Sequence, residues 1–418
     1  MATVIVIGAG VAGLAAAKRL KEAGHTPLVL EATNRAGGRV YTDMDGLDVG
    51  AQWIQGNWPD FEAYVASLGL ATVNTDFTKM QLDGHELTAA EFSDLTNKIA
   101  QAFAWDMTFR PSIALYYTIT QALAQGFFGS HPANRVKLMG MAAVDVDWAN
   151  DAHNVPARAA FDVAPWFWDS AAWASEASDN TAIVDGYVQV IDDLAMDLDI
   201  RYNEPVTAVA RTNTSVSVTT PQATYVADWC ICTIPLGVLK TNSVSFSPAL
   251  PTAKTGAIGR LGVGLLNKVI LEFPEGTQLP AATVLGSVDG TAPRGACSIW
   301  VNISNIREGR PTLLGWLTGP DAATRETWTD DAIVAEALTR FPSLPQPIYR
   351  RITRWGQEPY ARGSYSSFDM YSQLGDRSRL REPTGRLLWA GEHTMDTGFA
   401  TVPGAWESGI REANRIIG

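Results

Sequence analysis

Residues 3–39 read Thr3-Val-Ile-Val-Ile7, Gly8-Ala-Gly10-Val-Ala-Gly13, Thr26-Pro-Leu-Val-Leu30-Glu31 and Arg35-Ala-Gly37-Gly38-Arg39. The order is apolar strand, glycine turn, helix, second strand, acidic residue, second glycine turn. Gly8 permits a tight turn, Gly10 lets backbone approach a pyrophosphate, and Gly13 allows close packing of helix on strand. Gly24 stops the helix. The N–H groups of Val11 and Ala12 at the helix start, with the helix dipole, favour phosphate charge. Glu31, at the carboxyl end of the second strand and followed by Ala32, is placed to accept hydrogen bonds from ribose hydroxyls. Strand before, helix after and acid at the right distance make this a dinucleotide fingerprint rather than an ordinary glycine turn.

The second turn narrows the nucleotide. Gly37 and Gly38 bring another stretch of backbone to the ligand, and the fork of Arg39 suits a phosphate oxygen or a flavin carbonyl. A nicotinamide site has no need of this loop. In this position it resembles FAD enzymes of the glutathione reductase-like class.

Size and composition set the frame. A chain of 418 residues exceeds one simple core and predicts two domains. With 46% apolar and 18% charged residues it has an ordinary globular composition. The net charge of −12, without a Lys/Arg run, argues against nucleic acid and favours a cationic small molecule. Cys230, Cys232 and Cys297 and the five histidines show no metal-ligand spacing, so no metal is expected. No apolar run reaches membrane-spanning length and strand residues begin at Thr3, so a cytoplasmic protein without a signal peptide is expected.

Along the chain, residues 48–56 read as a strand end and glycine-bounded loop, and 71–179 as largely helical and rich in aromatics. A helix is expected around 185–191 and strands at 205–211, 216–220 and 229–233. Residues 265–273 form a strongly apolar strand with Lys268 inside it, and 332–340 a helix capped by Asp330 and Asp331. The last segment repeats the opening logic: strand 387–390, glycine turn, helix 405–417.

Together these pieces resemble the FAD-dependent amine oxidases: monoamine oxidases, polyamine oxidases and lysine-specific histone demethylases. Five segments carry the resemblance across the whole chain: residues 4–39; Gly50-Ala51-Gln52-Trp53-Ile-Gln55-Gly56; Cys232-Thr-Ile-Pro-Leu-Gly-Val-Leu-Lys240; Leu266-Asn-Lys268-Val-Ile-Leu271; and residues 355–409. The last includes Arg362-Gly-Ser-Tyr365-Ser366, Gly391-Glu392-His-Thr394 and Thr401-Val402-Pro-Gly-Ala405.

The resemblance implies an α/β and α+β two-domain fold. Residues 1–70, 186–262 and 363–418 would form a discontinuous Rossmann-like FAD domain with a mixed sheet. Residues 71–185 and 263–362 would form a substrate domain of sheet and helices. It implies that Glu31 binds ribose, Arg39 the pyrophosphate or flavin edge, Val206 the adenine through main chain, and Glu392 the ribityl–pyrophosphate region. Gly50, Ala51, Gln52, Trp53, Trp355 and Gly391 would complete the FAD site, and the helix after Thr401 and Val402 would point at the flavin. Lys268 would hold a water at flavin N5 and assist reaction with oxygen, and Tyr365 would guide a neutral amine, with Gln55, Trp355, Phe399 and Thr401 lining the pocket. Ser364 stands where monoamine oxidases carry a flavin-linked cysteine, implying non-covalent FAD, and Thr401 in place of a second cage tyrosine is closest to polyamine oxidases.

The implied activity is hydride transfer from a polyamine or other aliphatic amine to flavin, imine hydrolysis, and reoxidation by O2 to hydrogen peroxide. An L-amino-acid oxidase would instead need an arginine for the substrate carboxylate, with Arg110 as candidate. A dehydrogenase would pass its electrons to another acceptor. Asp145, Asp147, Glu176 and Asp179 are candidates for a distal ammonium.

Overall fold

The computed structural model describes residues 1–109, 112, 115–141, 180–286 and 296–418. A five-stranded sheet has the spatial order Leu387–Trp389, Trp229–Cys232, Thr3–Ile7, Thr26–Leu30, Asp199–Arg201. Every neighbouring pair runs parallel, so both faces must be covered. Alternation does the sorting. Val4, Val6, Val29, Ile231 and Leu388 face the helices Val11–Glu22, Val188–Ala195 and Val402–Ile417. Ile5, Ile7, Leu30, Cys230, Cys232 and Trp389 face the opposite layer. That layer holds a four-stranded mixed sheet built from Ala208–Arg211, Val216–Thr219, Thr224–Ala227 and Ser245–Ser247. The two strand cysteines are thus small buried core residues.

The helix Val11–Glu22 lies close on its strand because a Cβ at Gly13 would stand 2.0 Å from the Gly8 carbonyl oxygen. Gly8 itself turns at φ +100°, a region that favours glycine.

A seven-stranded sheet has the order Tyr349–Ile352, Leu266–Glu272, Thr312–Thr318, Ala296–Asn302, Val284–Gly286, Met80–Leu82, His85–Glu86. One face carries Ile270, Leu314, Trp316, Ile299, Val301, Val284, Met80 and Leu82, packed against Phe92, Leu95, Ile99 and Phe103 of helix Ala89–Phe109. The other carries Val269, Leu271, Leu313, Leu317 and Trp300, under the helix Asp330–Leu338. Lys268 pairs in register with Trp316, so it sits on the first of these faces.

Several expectations shift. Residues 72–86, expected within a helical region, form the strands Thr72–Thr75 and Met80–Leu82, each completed by a partner far along the chain, and His85–Glu86, which pairs back on Met80–Leu82. Asp330 and Asp331 occupy the first turn, while Thr329 is the cap and accepts from the Ala332 N–H. The last helix begins at Val402, because Thr401 caps it and Pro403 fits its first turn. Among the described residues no helix is long and apolar enough to cross a membrane.

Candidate active site

A single cavity of about 1260 Å³ runs from the glycine fingerprint to the seven-stranded sheet. At one end Gly10 caps the fingerprint helix and no side-chain hydrogen bond caps that helix start. A Cβ at Gly10 would meet nothing nearer than the Gly37 oxygen at 4.0 Å, so it would project into the cavity. The Glu31 carboxylate is oriented by the Ala9 N–H, Thr33 N–H and Thr33 hydroxyl, each at 2.8 Å. Ala32, Gly38 and Val206 line the same end.

Midway, Arg39 donates from Nη1 to Glu392 Oε1 at 2.8 Å and to the Ser364 carbonyl at 3.0 Å. Glu392 also accepts from the Ser366 N–H at 3.1 Å, the Ser366 hydroxyl at 2.6 Å and the Ala400 N–H at 2.9 Å. Burial opposes its ionisation, but Arg39, His393, Ser366 and Arg377 prevail and hold it at about 2. Both carboxylate oxygens are therefore engaged by protein, and Glu392 lines the cavity beside Arg39. Beside it Thr401 accepts from the Gly404 N–H at 3.0 Å and opens the last helix, with Val402 on the cavity wall.

At the sheet end Lys268 is buried, and its Nζ donates to the Asp48 carbonyl and to Gln52 Oε1, both at 2.7 Å. The Trp53 ring lies 5.7 Å from Nζ. Burial pushes the lysine below its ordinary pKa, and the Asp48 carboxylate opposes that. Burial likewise raises Asp48, which accepts from Thr42 and from the Tyr187 N–H. Asn267, the neighbour of Lys268, accepts the Trp355 N–H at 2.8 Å, fixing Trp355 on the wall.

Ser364 exchanges hydrogen bonds with the backbone of Leu266, donating at 2.7 Å and accepting at 2.8 Å. Tyr365 follows in a strand paired with Gly262–Gly264. Gln55, Trp355, Phe399, Gly50, Ala51 and Gly391 also face the cavity. Every site residue expected from sequence lines it except Gly13, which is packed between helix and strand. Arg110, Asp145, Asp147, Glu176 and Asp179 lie outside the described residues.

Sequence reading missed Asp48, Ser366 and Arg377. It also missed the apolar wall of Phe77, Met80, Phe92, Met139, Val284, Ile299 and Trp316. The one available signal was Asp48, an acid two residues before the Gly50 motif.

The residues fit a flavin adenine dinucleotide. An uncapped helix start, a glycine whose missing Cβ leaves the cavity clear, an oriented ribose-type carboxylate and a half-buried arginine follow one continuous space. Among the described residues no group of three or more His, Cys, Asp or Glu could hold a metal.

A family model of flavin containing amine oxidoreductase matches residues 11–417. Polyamine oxidase 4 of Oryza sativa subsp. japonica is 32% identical over 449 residues, spanning 99% of this chain and 88% of that protein. Polyamine oxidase 2 of Arabidopsis thaliana is 31% identical over 443 residues, spanning 98% and 87%. Lysine-specific histone demethylase 1 homolog 2 of Arabidopsis thaliana is 30% identical over 444 residues, 99% of this chain but 58% of that protein. A solved structure of putrescine oxidase with putrescine bound shares the fold, with a TM-score of 0.81 at 20% identity over 100% of this chain and 99% of that one. The chain belongs to the flavin-containing amine oxidoreductase family and is an amine-oxidising enzyme of that family.

Proposed function

We propose that this enzyme oxidises an aliphatic amine with non-covalent FAD, that the imine hydrolyses to a carbonyl compound, and that O2 is the electron acceptor, giving hydrogen peroxide. The observation that carries the reading is Lys268: a buried amine held by the Asp48 carbonyl and Gln52, on the same cavity as the dinucleotide fingerprint. FAD, when bound, supplies the acceptor for two electrons and a proton from the substrate α-carbon.

The chain's own residues provide the rest. Gly8, Gly10 and Glu31 hold the nucleotide end, with Val206 beside it, and Arg39 supplies positive charge at mid-cavity. The start of the Val402–Ile417 helix adds partial positive charge where negative charge accumulates. Lys268 donates two of the three hydrogens of its charged form to protein, so it has one N–H left for a water or substrate atom. Because burial lowers its pKa, Nζ loses its proton more readily than an exposed lysine and can take one up or release one near the reacting atoms. Tyr365, Trp355 and Phe399 exclude water from that end.

Non-covalent binding is supported by Ser364, whose hydroxyl is tied to Leu266, and by a cavity wall without Cys or His among the described residues. An amino-acid substrate is disfavoured. Of the arginines on the described wall, Arg35 donates to the Ala36 and Gly38 carbonyls and Arg39 to Glu392, while Arg362 is exposed. We also assign residues 1–70, 186–262 and 363–418 to the cofactor domain and 71–185 with 263–362 to the substrate domain.

The names of the relatives make polyamines the first substrates to try. Anaerobic mixing with polyamines, monoamines and amino acids should bleach the oxidised flavin band for an amine. A spectrum unmoved by all three refutes the reading. Reduced enzyme that persists in air would replace O2 by another acceptor.

A further inference from the structure

Lys268 is held by the main chain of a residue whose side chain carries the opposite charge. Its Nζ donates to the Asp48 carbonyl and its backbone N–H to Thr353 Oγ1 at 2.8 Å, so both ends of the lysine are fixed. Asp48 and Thr42 face each other across an antiparallel bridge, and the Thr42 hydroxyl donates to Asp48 Oδ1 at 2.5 Å. The same hydroxyl oxygen accepts the Val188 N–H at 3.0 Å. The Tyr187 N–H reaches Asp48 Oδ1 at 3.1 Å and Oδ2 at 3.3 Å. Tyr187 is the N-cap of the helix Val188–Ala195, and its own side chain makes no capping bond. Thr42 and Asp48 therefore cap this helix from a distant part of the chain. A Cβ at Gly186 would stand 2.4 Å from Thr42 Cγ2 and 3.0 Å from Asp48 Oδ1, so the turn before the helix is seated directly on the pair.

The Thr42 hydroxyl and the Tyr187 N–H both donate to the Asp48 carboxylate, and the helix start adds partial positive charge. Donors of this kind favour the ionised form. Burial raises Asp48 against Thr42, Lys268 and Tyr187, and lowers Lys268 against the Asp48 charge. The ionisable groups on the described elements around them are engaged elsewhere or exposed. Asp43 accepts the Tyr349 hydroxyl at 2.8 Å, and Glu272, further along the Lys268 strand, pairs with Arg307 at 3.2 Å and Arg310 at 3.5 Å. Arg39 pairs with Glu392 and Lys18 with Asp193, both at 2.8 Å. Asp45, Asp185, Asp192, Arg350 and Arg351 are exposed. Burial and the Asp48 charge keep the Tyr187 phenol protonated.

A buried ammonium survives where an opposite charge is fixed beside it. Resting on the amine-oxidation reading above, we infer that Asp48 is a positioning residue for the reaction: its carboxylate, fixed by the start of the helix Val188–Ala195, keeps Lys268 charged at the cavity wall, so that the third N–H of the ammonium faces a water or substrate atom. The helix start thus acts on the reacting end of the cavity through one carboxylate.

The test reads the lysine itself, in holoenzyme without substrate. Labelling lysine Cε with carbon-13 makes the step from ammonium to amine visible by NMR, and the resonance missing from Lys268→Met is that of Lys268. Asp48→Asn keeps the size and removes the charge, and should move the Lys268 midpoint down by at least about one pH unit. A midpoint that stays or rises overturns the inference, as does a wild-type Lys268 that is never charged in the folded enzyme. Thr42→Val removes one donor to the carboxylate and should move the midpoint the same way, whereas Thr42→Ser should leave it in place. That pair decides the matter if Asp48→Asn fails to retain FAD, and a midpoint unmoved in Thr42→Val overturns the inference. Reoxidation by O2 of chemically reduced holoenzyme should follow, its Lys268-dependent limb moving to lower pH in Asp48→Asn. A slower rate with the limb in place marks a merely structural residue and overturns the positioning role. If no amine reduces the flavin, the amine-oxidation reading falls, and the lysine titration still decides the role of Asp48.

Discussion

Glu392→Gln isolates the charge that ties the two ends of the chain together. The side chain keeps its shape, but an amide replaces one acceptor oxygen in a site where Arg39, the Ser366 N–H, the Ser366 hydroxyl and the Ala400 N–H all donate. The native carboxyl is held at about 2 against an ordinary 4.5; burial opposes this, and Arg39 is the strongest of the groups that outweigh it. A carboxylate depressed on folding stabilises the fold above its unfolded pKa, and that stabilisation disappears as pH falls through the folded value. The displacement corresponds to about 3 kcal/mol, at the lower edge of the ~3–5 kcal/mol typical of breaking a buried ion pair. With 418 residues and an unfolding entropy of roughly 2.1 cal/mol/K per residue, that loss lowers the melting temperature by about 3 °C if the chain melts as one unit. Calorimetry of the apoprotein at neutral pH reads it directly, and the gap between variant and wild type should narrow as pH drops below 4.5. FAD titration should show at least about tenfold weaker binding, because Arg39 loses its anchor. A melting temperature unchanged at neutral pH, or a gap independent of pH, would refute the reasoning.

Lys268→Met removes the amine with little change in volume; FAD content should stay normal while flavin reduction or reoxidation slows by at least about tenfold in stopped flow. Normal turnover would leave Lys268 a structural residue. Burial pushes the His393 imidazole down to about 4 from 6.5, so the unfolded chain binds a proton across that window and the folded chain does not. Stability therefore falls on acidification from 6.5 to about 4, by up to about 3 kcal/mol, and His393→Gln should flatten the melting profile there. Identical profiles would remove His393 as the cause. Gly13→Ala sets a Cβ 2.0 Å from the Gly8 carbonyl oxygen, so the fingerprint helix must shift. We expect about 1–3 kcal/mol of destabilisation together with weakened FAD binding, measured by denaturation and titration; unaltered FAD affinity would contradict the packing role.

Legibility in the sequence followed the range of the interactions. The strands Thr3–Ile7 and Thr26–Leu30, and the helix between them, are written in local periodicity and glycine placement, and they form at those bounds. Lys268 stood out because a lysine in an apolar run needs an explanation. Its partners did not stand out, since the Asp48 carbonyl and Gln52 lie 220 and 216 positions away. The strands Met80–Leu82 and Val284–Gly286 are three residues each and gain their identity from pairing with each other, a long-range event that no local window carries. Trp316 and Ile299 carry no local signal, and only strand register turns them into a wall beside the lysine.

On the proposed reading, the segment from Arg39 to Trp53 joins cofactor binding and the reacting end of the cavity in one device. Arg39 reaches Glu392 near the end of the chain, Asp48 accepts the Tyr187 N–H and Lys268, Gln52 accepts Lys268, and Trp53 packs on Phe77 and Trp316. Its two halves are pressed together where a Cβ at Gly50 would stand 2.0 Å from the Arg39 carbonyl oxygen. A shift of this strip therefore moves the arginine of the cofactor cradle and the acceptors of Lys268 at once. Residues that bind and residues that react are coupled through backbone, not through a chain of side chains, so substitutions within the strip should alter FAD affinity and flavin reduction together, whereas Lys268→Met should separate them.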